Sequence, residues 1–256
     1  MEFSGFTIEL LFVLFLVAIA AGFIDTLAGG GGLITMPALM ISGIPPLAVL
    51  GTNKLQGSVG TATSTYMMLK HKRMSWHNIK YLMLLAFVGS AMGAIVVQFI
   101  NVDVLSFIIP IVLLFIVLYF IISPMSKKGG STPRLSERKY KYIVIPAVGW
   151  YDGMFGPGAG SFFALANNSC RGHCLIDSTA IAKALNCSTN IAALIIFIAA
   201  GQLVWLLGFA MMAGQIIGAW LGSHCLFKIN PTYLRVIVVL MCVGMLIKYG
   251  VSIDWV

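Results

Sequence analysis

The sequence predicts an all-α polytopic membrane protein: eight transmembrane helices in two four-helix repeats of the same orientation, with the first helix of each repeat broken by a glycine-rich segment. Three observations predict it. The chain is 59% hydrophobic and only 9% charged, whereas a soluble domain carries about 25% charged residues. Its apolar runs, among them 10–21, 81–97, 105–122 and 236–247, reach or approach the roughly 20 residues a bilayer-crossing helix needs. An unusual pattern also occurs twice, as GFIDTLAGGGG from Gly22 and as GWYDGMFGPGAGS from Gly149. Each copy has a glycine, two apolar residues and an aspartate, then a glycine-rich breaker at the seventh position after the first glycine.

The elements follow in order. The N-terminus has two acids and no base before the first apolar run, unlike a cleaved signal peptide, so the first segment is expected to be retained. The first repeat covers 1–123. Its opening span runs from Phe6 and is broken at Gly29, Gly30, Gly31 and Gly32. Spans at 46–69, 78–100 and 104–122 follow. A basic cytoplasmic linker at 124–141 leads to the second repeat, 142–256. There, 142–155 is too short to cross at about 1.5 Å per residue, and 161–168 is shorter still. Together they read as one discontinuous span kinked at 156–160. Spans at 177–200, 203–227 and 231–250 complete the count.

Landmarks lay one half over the other. Asp25 matches Asp152, Asn53 matches Asn186, Gly89 and Gly93 match Gly214 and Gly218, and Asn101 matches Asn230. Four spans per half is an even number, so the repeats are expected to be related by an axis along the membrane normal. Ten of the sixteen basic residues sit in two regions, Lys70 to Lys80 and Lys127 to Lys141. The positive-inside rule places both in the cytoplasm, and with eight spans both termini join them. This clustering reads as an orientation signal and excludes nucleic acid as a partner; the lipid bilayer is the partner that composition implies. The repeated glycines four apart, at 89 and 93 and at 214, 218 and 222, read as close helix contacts. Cys170 and Cys174 flank Arg171 and His173 in a polar loop; a disulfide between them stays open, and the spacing completes no zinc pattern.

Only Asp25, Asp152, Lys54 and Lys183 are ionisable residues at membrane depth, where charge is costly and faces a cavity or a partner. The two aspartates line a cavity, carry coupling protons, or satisfy backbone N–H groups freed at the breaks. Half-helices that start after the breaks aim free N–H groups and a positive dipole end inward, which favours an anion. Gly30, Gly31, Gly158, Gly160 and Ser161 supply that backbone. Asn53, Gly57, Gly60 and Ser64 form one helical stripe, and Lys183, Asn186, Asn190 and Ala193 another; asparagine offers uncharged donors and acceptors. Cys187 stands where the first repeat has Lys54, so any lysine role is expected to differ between halves. No nucleophile elbow, paired-histidine metal helix or P-loop lysine is present. The reading is therefore neither an enzyme nor an ATP-driven pump, with no metal and no cofactor.

The first glycine motif through Pro37, the segment GTNKLQGSVGT at 51–61, and the strings GPGAGS and ALNCSTN of the second half resemble the TauE/SafE sulfite exporter family over nearly the whole chain. The resemblance implies a multi-pass transporter of the bacterial inner membrane that moves small sulfur-containing anions such as sulfite, a sulfonate or thiosulfate. It places substrate-binding roles on Asn53, Lys54, Asn186 and the glycine breaks. Joined to the residue reading, this predicts a secondary transporter working by alternating access, with a small anion bound between the repeats near the midplane. Asn190, Lys183 and Ser161 complete the expected site, and protons are the coupling ion considered. A passive anion channel, a non-transporting scaffold or sensor, and a homodimer all stay open at this point.

Overall fold

The structure is a computed structural model and describes residues 2–3, 6–122, 133–225, 240, 243, 244, 247 and 251. The expected eighth span falls almost wholly outside these residues. Among the described residues, a two-residue antiparallel pair, β1 (Glu2–Phe3) and β2 (Phe6–Thr7), precedes ten α-helices with defined bounds. These are α1 (Ile8–Ala28), α2 (Gly32–Ile41), α3 (Pro46–Lys70), α4 (Trp76–Val97), α5 (Val102–Ile122), α6 (Glu137–Lys139), α7 (Ile145–Met154), α8 (Ala159–Arg171), α9 (Leu175–Ala199) and α10 (Trp205–Cys225). A π-turn, Tyr140–Val144, joins α6 to α7, so residues 137–154 form one rod. Among the described residues, four helices are long and apolar enough to cross a membrane: α1, α4, most of α9, and α10. The chain is a multi-pass membrane protein. Helix α3 is equally long but buries a run of polar residues from Thr52 to Thr65, because its partners are other helices and a cavity rather than lipid.

The glycine repeats set the closest helix crossings. A Cβ on Gly93 would overlap the carbonyl oxygen of Trp150 in α7, and one on Gly218 would overlap that of Ile19 in α1. Only glycine lets two backbones meet at this range. Each rod therefore packs on the third long helix of the other half, α1 on α10 and α7 on α4. These contacts also fix direction. Gly214, Gly218 and Gly222 meet Phe15, Ile19 and Phe23 in turn, so α1 and α10 are parallel. In the same way Gly89 and Gly93 meet Pro146 and Trp150, so α4 and α7 are parallel.

The broken helices correct the expected topology. Arg171, the last residue of α8, lies 3.9 Å from Glu137 at the start of the rod. The amide of Arg134 donates to the Cys170 carbonyl at 3.1 Å, and the Tyr140 hydroxyl donates to Asn167. The chain enters along 137–154, turns at 155–158, and returns along α8 to the end it came from. It forms a re-entrant hairpin, not one discontinuous span, and the rod begins at 137 rather than 142, inside the expected linker. The first half does the same. The amide of Val204, in the turn between α9 and α10, donates to Thr52 near the start of α3 at 3.0 Å. The start of α3, the end of α2, the start of α10 and hence the start of α1 all share one end of the bundle.

The basic segments share the other end, where His77, Tyr81, Glu137, Lys141 and Arg171 line one recess of about 380 Å³. The expectation that both termini lie beside the basic loops is therefore wrong for the N-terminus: α1 starts at the opposite end. The common orientation of the halves also fails. Gly51 lies against Phe197, Gly57 against Asn190, and Thr61 within 3.4 Å of Asn190, so α3 and α9 are antiparallel neighbours. Helices that correspond in the two halves yet run antiparallel are not related by an axis along the membrane normal. The physical reason is the hairpin: the arms α1 and α2 cancel, so α3, α4 and α5 leave the first half with an odd number of crossings and the second half starts from the other end.

Candidate functional site

Two ion pairs hold the halves together, and each is made across them. Lys54 of α3 sits 2.5 Å from Asp152 of α7, with both side chains 1% exposed. Lys183 of α9 sits 2.8 Å from Asp25 of α1. Each lysine also donates to the main-chain carbonyl of its aspartate. Lys54 lies eight residues into α3 and Lys183 eight residues into α9. Because those helices are antiparallel, the pairs lie about 12 Å from opposite ends of the bundle, at 1.5 Å per residue. Matching Asn53 with Asn186 puts Cys187 opposite Lys54 and hides that Lys183, one helical turn away, makes the corresponding ion pair.

The aspartates differ in their remaining bonds. Asp25 accepts the Gly31 amide at 3.1 Å, which satisfies a backbone donor freed by the break. Asp152 instead accepts the Thr189 hydroxyl of α9. Between the pairs, the two hairpin tips touch. Gly32 approaches Pro157, Gly29 packs on Gly160 and Ser161, and the Ser161 hydroxyl donates to the Ala28 carbonyl. Both tips line one cavity, together with the start of α2, Asn53, Lys54, Asn186 and Asn190. It is about 30 Å³, room for about two waters and the scale of a small inorganic ion. The carbonyl oxygen of Asn53 is taken by Thr35 at 2.6 Å and Gln56 at 2.8 Å; that of Asn186 is taken by Asn190 at 3.2 Å. Their amide NH₂ groups lie toward Gly32 and Gly160, so both asparagines face the hairpin tips with donors. Among the described residues, Gln56 Oε1 is buried and has no hydrogen-bond partner.

The model of the family described as "Sulfite exporter TauE/SafE" matches residues 14–249. The chain belongs to the TauE/SafE sulfite exporter family. Curated relatives agree over nearly their full lengths. A "Probable membrane transporter protein" of Haemophilus influenzae is 39% identical over 97% of both chains. "Probable membrane transporter protein YfcA" of Escherichia coli K12 is 42% identical over 93% of this chain and 89% of its own. "Probable membrane transporter protein ORF9" of Sinorhizobium sp is 37% identical over 94% and 92%. No solved structure matches the chain. Like its family, this TauE/SafE protein is a membrane transporter and not an enzyme.

Of the residues singled out from sequence, Asp25, Gly31, Asn53, Lys54, Gly158, Asn186 and Asn190 line the cavity. Asp152, Lys183, Gly30, Gly160 and Ser161 do not: the first two stand behind their ion-pair partners, Gly30 accepts the Leu33 amide within its own turn, and Gly160 and Ser161 serve the contact between the tips. Sequence reasoning missed Gln56, Thr61 and Gln215, which also line it. Thr61 was findable, four residues beyond Gly57 on the α3 stripe. Gln215 carried no signal, because only the packing of α10 beside Gly22 and Gly60 turns it inward. Cys170 and Cys174 are free thiols.

Proposed function

We propose that this TauE/SafE protein is a secondary transporter of a small sulfur-containing anion in the bacterial inner membrane, working by alternating access between two inverted halves. One observation carries the reading. The N-terminal ends of α2 and α8 meet at a single cavity where Lys54 and the Asn53 and Asn186 amides supply further donors. The amides of Leu33, Ile34, Ala159 and Ser161 bond to the carbonyls of the preceding turn, so what the two helix ends offer the cavity is chiefly the positive end of each helix dipole. Small volume and convergent donors suit a compact oxyanion such as sulfite or thiosulfate, and a short sulfonate by its head group. The orphaned Gln56 oxygen adds one acceptor for a substrate proton or a bound water.

The crossed ion pairs support the alternating-access part. They lie on opposite sides of the cavity, so parting one opens a path to one face while the other stays closed. Inverted halves make the two paths equivalent, which is how such transporters reach both faces with one site.

Purified protein in proteoliposomes is expected to take up labelled sulfite or thiosulfate at carrier rates. Failure of small oxyanions to move, with a cation or an amino acid moving instead, removes the anion reading. Sidedness has its own measurement. With the basic segments in the cytoplasm, an N-terminal reporter active only outside the cytoplasm is expected to be active, and the same reporter inserted near Lys72 silent. The reverse pattern overturns the orientation.

A further inference from the structure

We propose that the cavity takes a proton together with the anion, and that Asp25 alone is the proton's site. Lys54 holds the anion, and Lys183 is the internal cation that protonation of Asp25 sets free. This rests on the anion reading above and assigns roles within that site.

The two ion pairs are alike in chemistry but opposite in what they show the cavity. Of Lys54 and Asp152, the lysine lines it and the carboxylate does not; of Lys183 and Asp25, the carboxylate lines it and the lysine does not. Exposure agrees, since the Asp152 side chain is 1% exposed and the Asp25 side chain 15%. Both Asp152 oxygens are taken by side chains, Lys54 on one and Thr189 on the other. Asp25 has one side-chain partner and one backbone amide, and it lines the cavity. An incoming anion therefore meets Lys54, and an incoming proton meets Asp25.

Charge accounting says why both must enter. Lys54, Lys183, Asp25 and Asp152 sum to zero when ionised. A monoanion added alone leaves a net negative charge inside a bilayer, which is costly to carry across. A proton added to Asp25 restores neutrality: the carboxylate becomes the acid, Lys183 loses its counter-charge, and the anion supplies a new one. Lys183 keeps its hydrogen bond to the Asp25 carbonyl, so it stays in place.

The charged groups around Asp25 are few. Helix α9 brings Lys183, α3 brings Lys54 across the cavity, and α7 brings Asp152 behind it. Helix α2 has no titratable side chain, α8 presents Ser161 and glycines at the contact, and α10 presents Gln215.

The test uses the whole protein in proteoliposomes, with labelled sulfite as the probe and two readouts. One is accumulation driven by a pH gradient; the other is exchange of labelled for unlabelled sulfite at equal pH. Asp25→Asn is expected to lose driven accumulation at least tenfold more than it loses exchange. Asp152→Asn is expected to lose both. Lys183→Gln removes the cation that protonation of Asp25 sets free, so by the same charge count the loaded site stays net negative, and driven accumulation is expected to fall at least tenfold. This variant tests the assignment without altering the acid, and it decides the matter if Asp25→Asn fails to fold.

Driven accumulation by Asp25→Asn, the uncoupled pattern in Asp152→Asn, undiminished driven accumulation in Lys183→Gln, or drive by sodium in place of protons would each overturn the proposal. No exchange by the unmodified protein would remove the anion reading itself and this proposal with it. Normal exchange with coupling intact in Asp25→Asn would remove only this one.

Discussion

Changing Lys54 to alanine is expected to destabilise the protein by about 3–5 kcal/mol, and Asp152→Ala by a similar amount, because each strands its partner's charge in a buried site. Both side chains are 1% exposed, so bulk water does not take over the lost contact. The partner bonds make the loss worse. Lys54 also holds the Asp152 carbonyl, and Asp152 also holds Thr189, so one deletion loosens α3, α7 and α9 together. Removing both charges is a different experiment. Lys54→Met combined with Asp152→Leu keeps the volume and leaves no buried charge, and such replacements are often neutral or stabilising. The double variant is expected to recover most of the thermal midpoint in detergent while transporting nothing. A double variant as unstable as either single change would show that the hydrogen bonds, rather than the charge balance, hold this end of the bundle.

The second large effect is at Gly29. Its φ is +76°, a left-handed conformation that a branched side chain does not tolerate, and a Cβ there would lie 2.5 Å from the Ser161 amide nitrogen. Gly29→Val therefore strains the turn and forces the two hairpin tips apart. Transport is expected to fall at least tenfold, with a thermal midpoint well below that of the unmodified protein. Gly43 is the control. Its φ is +75°, but nothing lies within 4 Å of its Cβ position, so Gly43→Val carries the backbone strain without the collision. Strain of this kind costs about 1–3 kcal/mol. Equal transport losses in the two variants would mean that contact between the tips contributes nothing to function.

Much of the site was legible because chemistry out of place is conspicuous in an apolar chain. Asp25, Asp152, Lys54 and Lys183 stand out against 59% hydrophobic residues, and the structure engages all four. The glycine repeats were legible for the same reason, and they lie at the closest helix crossings. Register was not legible. Asn53 and Asn186 made a plausible pair of landmarks, yet that register hides the matching ion pairs of Lys54 and Lys183. A four-residue slip keeps a side chain on the same helix face, so the pattern could not expose the error.

What the sequence determined alone is the solvent: too few charges to coat a surface in water, apolar runs of membrane length, and four charges that had to find partners. It also determined that the chain is broken twice by glycine, since no other residue supplies those backbone angles and approaches. What only the tertiary structure decided is where the chain goes after each break. A glycine turn permits a kink that continues across the membrane and equally a hairpin that returns, because local sequence sets allowed angles and not the fate of the next helix. The choice was made by distant contacts: Arg171 beside Glu137, and Val204 beside Thr52. Those contacts turn a count of eight spans into two inverted halves, and they bring each lysine to the aspartate of the opposite half.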